Sequence, residues 1–232
     1  MTRSFWFLCL GWAAAPLFLV LPALPVVAGC GDSPAAGVDW SKCEKRRLVL
    51  RGQDLSDGRF ARTDFSLSDL ADAKLARADL SEANFERARL AGADLSGAVL
   101  TKTSGGRADF TQAVLKGADL AKAEMSRTDF TGADFTGASL AKAELGRAIL
   151  VDSLLDGTDF GGAEIARAVF AGASLKGSDM TAAYTYRTRF EATDLSQVTG
   201  LTQEQLEAAC GDDETRLPEG LAVPAGWPCG QD

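Results

Sequence analysis

Six arginines recur at intervals of twenty residues, and their side chains are the strongest candidates in this sequence for binding a ligand. A guanidinium group is permanently charged and presents a planar fork of donors that matches carboxylate and phosphate groups. The six residues are Arg87, Arg107, Arg127, Arg147, Arg167 and Arg187. Charged residues at related positions are Glu124, Glu144 and Glu164, three residues before an arginine, and Lys102, Lys122 and Lys142. Such spacing predicts a fold that repeats every twenty residues.

No catalytic constellation accompanies the arginines. The 232 residues include no histidine, which removes the commonest general base and the commonest metal ligand. The sequence has no G-x-x-x-x-G-K phosphate loop and no paired-cysteine zinc motif. Carboxylate ladders such as Asp119, Asp159 and Asp179 could hold Ca²⁺, but one acidic residue per repeat is chiefly a structural period. We therefore predict no enzymatic activity, no metal site and no cofactor.

The first thirty residues predict export. Met1–Arg3 is a short basic start, residues 5–27 are apolar and uncharged, and small residues follow. Residues 1–29 are therefore assigned to a signal peptide. Two kinds of processing fit: ordinary cleavage and secretion, or lipidation of Cys30, because residues 27–30 resemble a bacterial lipobox. We expect a periplasmic protein or a lipoprotein anchored to the membrane of a bacterial cell envelope.

The cysteines agree with an oxidising compartment. Cys210 and Cys229 flank a segment rich in proline and glycine, and we predict that they form a disulfide. Cys43 is left over unless it pairs with an unlipidated Cys30. The alternative interpretation is that Cys43 fills a small buried position. Cys9 lies within the signal peptide.

A large apolar residue occupies nearly every fifth position from Leu50 to Leu195, and a small residue stands two positions before it. A helix cannot use this spacing, because a step of five rotates the apolar residue around its surface. A straight strand cannot use it either, because odd spacing alternates the faces. The pattern fits a chain that turns a corner every five residues, so that four sides close a coil of twenty. Residues twenty apart then stack in columns.

These residues resemble the pentapeptide repeat family, whose motif is A(D/N)LXX, over residues 48–195. The resemblance implies an all-β fold, a right-handed quadrilateral β-helix that is a solenoid of stacked coils. We assign residues 30–38 to a linker, 39–199 to the β-helix and 200–232 to a C-terminal capping helix and tail. Thr202 to Gln205 form a predicted capping box that opens the helix.

The arginine column admits two interpretations. One is an interleaved salt-bridge face formed with the glutamates and lysines. The other is a docking strip for an acidic partner, best supported around Arg87 and Arg107, where Asn84 and Ser104 replace glutamates.

Two irregularities lie in the same region of the coil. Gly105 interrupts a column of large apolar residues, either as a bulge that opens a small site or as a gap filled by Phe85 and Met125. We expect the only two tyrosines, Tyr184 and Tyr186, to lie under the C-terminal tail.

Two classes of function remain. The first is a non-enzymatic binding or scaffold protein of the cell envelope that presents rigid faces to a protein partner. The second is implied by the best-known members of the family, which mimic DNA and protect DNA gyrase as acidic dimeric rods. The net charge of −8 disfavours nucleic acid as a partner, and the export signal and the arginine column disfavour the mimic. We expect membrane contact only through the signal or a lipid anchor, and the oligomeric state, including a homodimer, stays open.

Overall fold

The structure is a computed structural model that describes residues 29–230. The predicted signal peptide, including Cys9, lies outside the described residues apart from Gly29. The chain from Asp39 to Thr199 winds into a right-handed quadrilateral β-helix. Each side contributes a single bridge residue, and each parallel bridge joins residues twenty positions apart, from Asp39 with Arg59 to Asp179 with Thr199.

The core is a column of large side chains that fills the axis of the coil. The apolar residue at the centre of each side is buried, and so is the small residue two positions before it. Aromatic rings form a continuous run through the N-terminal half, with centroid separations between 5.0 and 6.4 Å. Its members are Trp40, Phe60, Phe65, Phe85, Phe110, Phe130 and Phe135. The small residues are needed because the large ones already occupy the axis at the density of a protein interior.

Hydroxyl groups replace alanine at several small positions and are satisfied by the backbone. Thr128 Oγ1 donates to the carbonyl oxygen of Gly105 at 2.7 Å, and Thr188 Oγ1 donates to that of Ile165 at 2.7 Å. Each of these acceptors lies twenty-three positions earlier, in the preceding coil. A buried hydroxyl with such a partner avoids the desolvation cost of an unpaired polar group.

From Lys42 to Ala192, each corner is a β-turn whose third residue has a positive φ. At the Arg147 corner, for example, φ is 61°, and the N–H of Ala148 donates to the carbonyl oxygen of Leu145 at 2.9 Å. A positive φ at this position of a turn is the mark of type II geometry. The acidic residue before the centre supports the corner, because its carboxylate accepts from the N–H two residues later. Asp129 Oδ1 accepts from Thr131 N at 2.9 Å in this way.

Residues 29–38, which include the predicted linker, pack against part of the first coil. Gly37 N donates to Ser56 O at 2.8 Å, and Lys45 Nζ donates to Cys30 O at 2.7 Å. The same ammonium group lies 3.7 Å from the centroid of the Trp40 ring, and burial lowers the pKa of Lys45. A disulfide between Cys30 and Cys43 fixes this segment to the β-helix.

The C-terminal tail also closes its end of the solenoid. Helix α1 spans Gln203–Ala208, and its capping box forms: Thr202 Oγ1 accepts from Gln205 N, and Gln205 Oε1 accepts from Thr202 N. Gln205 Nε2 in turn donates to the carbonyl oxygens of Met180 and Ala183. The structure joins Cys210 and Cys229, the pair predicted from the sequence, in a second disulfide. Trp227 Nε1 donates to Ala209 O at 2.8 Å.

Part of the tail continues the coil beyond the predicted boundary at residue 199. Arg189 is bridged to Cys210 and Asp194 to Arg216, which lie twenty-one and twenty-two positions later. The chain after Thr199 therefore leaves the coil to form α1 and then returns to add two further sides. The sequence loses its five-residue register after Thr199, so the spacing does not predict that the chain returns to the coil.

Among residues 29–230, no helix has the length and apolar character that crossing a membrane requires.

Candidate functional site

The arginine column forms one corner edge of the β-helix. Arg87, Arg107, Arg127, Arg147 and Arg167 are all exposed. Within the described part of the chain, none of these five guanidinium groups forms a hydrogen bond or an ion pair with a carboxylate. Arg187, at the C-terminal end of the column, is partly buried, and its guanidinium lies 5.9 Å from the centroid of the Tyr186 ring.

The prediction of an interleaved salt-bridge face is therefore wrong. The chain turns its corner between Glu124 and Arg127, so carboxylate and guanidinium leave the coil on different sides of the turn. Two stacked corner pairs of opposite charge do form ion pairs: Arg62 Nε lies 2.7 Å from Glu82 Oε2, and Arg77 Nη2 lies 2.6 Å from Asp57 Oδ2. In the arginine column, each residue stacks on another arginine, and the charges of the five from Arg87 to Arg167 have no carboxylate partner among the described residues.

The backbone does not favour arginine at these corners. All six arginines of the column have positive φ, between 54° and 61°. Residues other than glycine adopt this left-handed region at a cost of roughly 1–2 kcal/mol. Another corner column of the same solenoid has glycine at its equivalent positions, for example Gly137 and Gly157. The arginines thus occupy turn positions where glycine would be less strained.

A groove of about 550 Å³ runs beside the N-terminal end of the column. Its lining combines cationic, polar and apolar groups: Ser66, Leu67, Asn84, Glu86, Arg87 and Arg107 are among its residues. Leu67 is 40% exposed and occupies the column position one coil before Arg87. The ion pair of Arg46 with Asp64, at 3.5 Å, also borders the groove.

Ser66 is the unusual residue of this groove. It is only 5% exposed, and its Oγ has no hydrogen-bond partner among the described residues. Most buried hydroxyl groups in proteins are paired, so the Oγ of Ser66, which is closed to solvent under the edge of the groove, is an exception.

Two exposed tyrosines flank the C-terminal end of the arginine column: Tyr184 stacks on Glu164 in the glutamate column, and Tyr186 lies beside Arg187. Tyr184 and Tyr186 are 55% and 44% exposed, and their rings stack at a centroid separation of 6.3 Å. The expectation that they lie under the tail is wrong, because α1 packs through Leu206 and Gln205 and leaves both rings in solvent.

Gly105 does not open a site. Met125 Sδ lies where a Cβ on Gly105 would be, and Gly105 itself is buried. The ladder is unbroken there, because Gly105 N donates to Glu124 O at 2.8 Å and Arg107 N donates to Ser126 O at 3.1 Å. Of the two interpretations, the packed gap agrees with the structure, but the side chains nearest to Gly105 are Met125 and Phe110, not Met125 and Phe85.

The recurrent acidic residues serve the turns. The hydrogen bond from Thr181 to Asp179 lowers the pKa of that carboxyl group, and a hydrogen bond from Ser196 does the same for Asp194. No group of acidic or cysteine side chains suited to holding a metal ion occurs between residues 29 and 230. The carboxylate ladder that includes Asp119, Asp159 and Asp179 is accounted for by these turns.

The position of Cys30 in the structure does not agree with the hypothesis that this residue is lipidated. Its sulfur is bonded to that of Cys43. A sulfur in a disulfide cannot also form a thioether to a lipid, so the structure and lipidation of Cys30 exclude one another. Cys43 does fill a small buried position, at 2% exposure, while it also forms this bond.

The sequence identified the arginine column but missed the groove. Leu67 was visible as an interruption of the column, whereas nothing in the spacing distinguishes Ser66 from the other serines that follow a repeat centre. The missing partner of Ser66 becomes apparent only when the neighbouring coil is in place.

Comparisons with known proteins agree with this architecture. A family model described as pentapeptide repeats matches residues 46–81, 68–104, 108–147 and 148–184. Among solved structures, the chain is similar to HetL of the cyanobacterium Nostoc sp. strain PCC 7120, described as a pentapeptide repeat protein involved in heterocyst differentiation regulation. The identity is 27%, the TM-score is 0.55, and the match covers 81% of this chain and 92% of HetL.

A trypsin-treated form of QnrB1, a plasmid-mediated fluoroquinolone resistance protein, shares the fold. The identity is 20% and the TM-score is 0.50, over 76% of this chain and 87% of QnrB1. Among curated proteins, none matches this chain.

Proposed function

The chain belongs to the pentapeptide repeat family, and on this premise we propose that it is an exported, non-enzymatic protein that binds a protein partner through one face of its β-helix. The observation that carries the proposal is the row of five exposed arginines without carboxylate partners, Arg87 to Arg167, with the exposed pair Tyr184 and Tyr186 beside the C-terminal end of the column. Arginine and tyrosine are enriched at protein interfaces and at the residues that dominate their binding energy.

Uncompensated arginines favour a partner with an acidic surface. Stacked guanidinium groups roughly 4.8 Å apart repel one another, since that is the spacing of stacked strands. A carboxylate-bearing partner would relieve this repulsion and form charge-assisted hydrogen bonds. The same feature weighs against the DNA mimic, because a mimic needs an uninterrupted negative surface.

Export is supported by the cysteines. All four cysteines between residues 29 and 230 are paired in two disulfides, Cys30–Cys43 and Cys210–Cys229. Disulfides persist in the periplasm and outside the cell and are rare in the cytosol of most organisms. The apolar leader of residues 5–27 provides the corresponding route across the membrane.

Cell fractionation and site-specific photo-crosslinking test this function. We expect the tagged protein in the envelope or periplasmic fraction with its cysteines oxidised. A photo-crosslinking residue at Arg147 is expected to capture a partner that the same residue at exposed Lys176, outside the arginine column, does not capture. A cytosolic protein with reduced thiols would overturn the export, and equal crosslinking from both positions would overturn the choice of face.

A further inference from the structure

We propose that the groove beside Ser66, Leu67 and Arg87 is a binding site for an extended acidic peptide segment of a protein, one that carries an apolar side chain next to its carboxylates. The inference deepens the proposed function and rests on it only for the kind of partner. The groove lies at the N-terminal end of the arginine column and is bordered by the Arg46–Asp64 ion pair.

The charge of the groove selects carboxylates. Arg87 and Arg107 are exposed in its wall and have no carboxylate partner within the described chain. Arg127 extends the wall by one further coil. Acidic side chains that lie along the groove can therefore pair with successive guanidinium groups without displacing an existing ion pair.

The remaining lining selects a peptide rather than a bare polyanion. Glu86 and Asp64 repel any anionic group, so they disfavour an uninterrupted polyanion more than a peptide whose carboxylates are separated by neutral backbone. A peptide backbone also has N–H donors for these two carboxylates.

Leu67 adds an apolar requirement. It is 40% exposed at a column position that is arginine in each of the six coils after it. A simple polyanion site would gain from a seventh consecutive arginine here, whereas the observed leucine offers a contact for an apolar side chain of the peptide. The ligand class that fits the arginines, the carboxylates and the leucine of the groove is therefore an acidic peptide with an adjacent apolar residue.

The test is a titration of the purified, oxidised protein with a fluorescent twelve-residue peptide of alternating glutamates that contains one leucine. The comparison ligands are the same peptide with glutamine in place of glutamate and inorganic polyphosphate. We expect the acidic peptide to bind at least about tenfold more tightly than the glutamine peptide, because a close charge pair contributes at least that much. Tighter binding of polyphosphate than of the acidic peptide would overturn the proposal.

Two matched pairs of substitutions locate the site. Arg87→Glu with Arg107→Glu should weaken peptide binding by about tenfold or more, whereas Arg147→Glu with Arg167→Glu, in the same column, should weaken it by less than about threefold. Equal losses in the two pairs would show that the whole column binds and that the groove is not a site. Circular dichroism and thermal unfolding verify that all four exposed corner substitutions leave the fold intact.

Leu67→Arg separates a peptide site from an electrostatic strip. It completes the arginine column, so a polyanion strip predicts stronger binding, whereas we expect weaker binding of the leucine-containing peptide. Stronger binding would overturn the proposal. Failure of this proposal can be distinguished from failure of the proposed function, because crosslinking from Arg147 tests the proposed partner face at a position outside the groove.

Discussion

Met125 Sδ lies in the space that a side chain on Gly105 would occupy, one coil away in the same column. The two residues thus share the volume of one large side chain. Met125→Ala should lower the free energy of unfolding by about 2–5 kcal/mol through the cavity it leaves. Gly105→Leu should lower it by about 1–3 kcal/mol through overpacking.

The double variant, Gly105→Leu with Met125→Ala, is expected to be more stable than the sum of the two changes by about 0.5–3 kcal/mol. Urea unfolding of the four proteins measures this coupling. Additive losses would show that the two side-chain volumes are independent.

The arginine corners and the glycine corners should respond in opposite ways to substitution. Gly157 has a φ of 68° with open space around it, so Gly157→Ala should lower the free energy of unfolding by about 1–2 kcal/mol through backbone strain alone. Arg147→Gly should leave it unchanged or raise it by up to about 1 kcal/mol, since strain is relieved. A loss above about 1 kcal/mol in Arg147→Gly, measured by thermal unfolding, would mean that the side chain makes a stabilising contact.

Acid should destabilise the solenoid through its turn carboxylates. Hydrogen bonds from Thr181 and Ser196 hold the pKa values of Asp179 and Asp194 below the ordinary value of 3.8. A depressed folded-state pKa contributes stability above the unfolded-state pKa, and that stability is lost as the pH falls through the folded-state pKa. We therefore expect stability to decline below about pH 4.

Asparagine can keep the turn while removing the titration, as Asn84 does by accepting from Glu86 N at 2.9 Å. In the variant with Asp179→Asn and Asp194→Asn, the drop in thermal midpoint between about pH 5 and pH 3 should be smaller than in the parent. An equal drop in both proteins would place the acid sensitivity elsewhere.

The disulfide between Cys30 and Cys43 leads to a prediction about whether Cys30 is lipidated. Cys43→Ser should lower the free energy of unfolding by about 2–4 kcal/mol and free the segment before Trp40. The intact mass of the mature parent protein should correspond to two disulfides without a lipid. A mature protein heavier by a diacylglyceryl group on Cys30, with Cys43 as a free thiol, would establish the lipoprotein instead.

The regular part of the molecule was predictable because nearly every five-residue repeat contains the large apolar residue and the small residue that the fold buries. The five-residue spacing identified the inward side chains from Leu50 to Leu195, and the motif at Thr202 predicted the start of α1. The family and the β-helix fold are accordingly confirmed.

The remaining features of the structure depend on chain direction and on contacts between segments, which a local sequence pattern does not reveal. Whether Glu124 reaches Arg127 is decided by the direction of the chain at a corner. The return of Cys210 and Arg216 to the ladder is decided by the packing of α1, after the register has been lost. The pairing of Cys30 with Cys43 depends on how residues 29–38 fold over the first coil.

A segment of the chain packs on each end of the ladder, one fixed at Cys43 and the other fixed at Cys210. The number of stacked coils sets the distance between the two ends of the arginine column. Ser66 and Tyr186 are six coils apart, roughly 29 Å at about 4.8 Å per coil. Gain or loss of one coil would change the distance between the two ends of the proposed binding face by about 4.8 Å. The residues at each end would be unaltered.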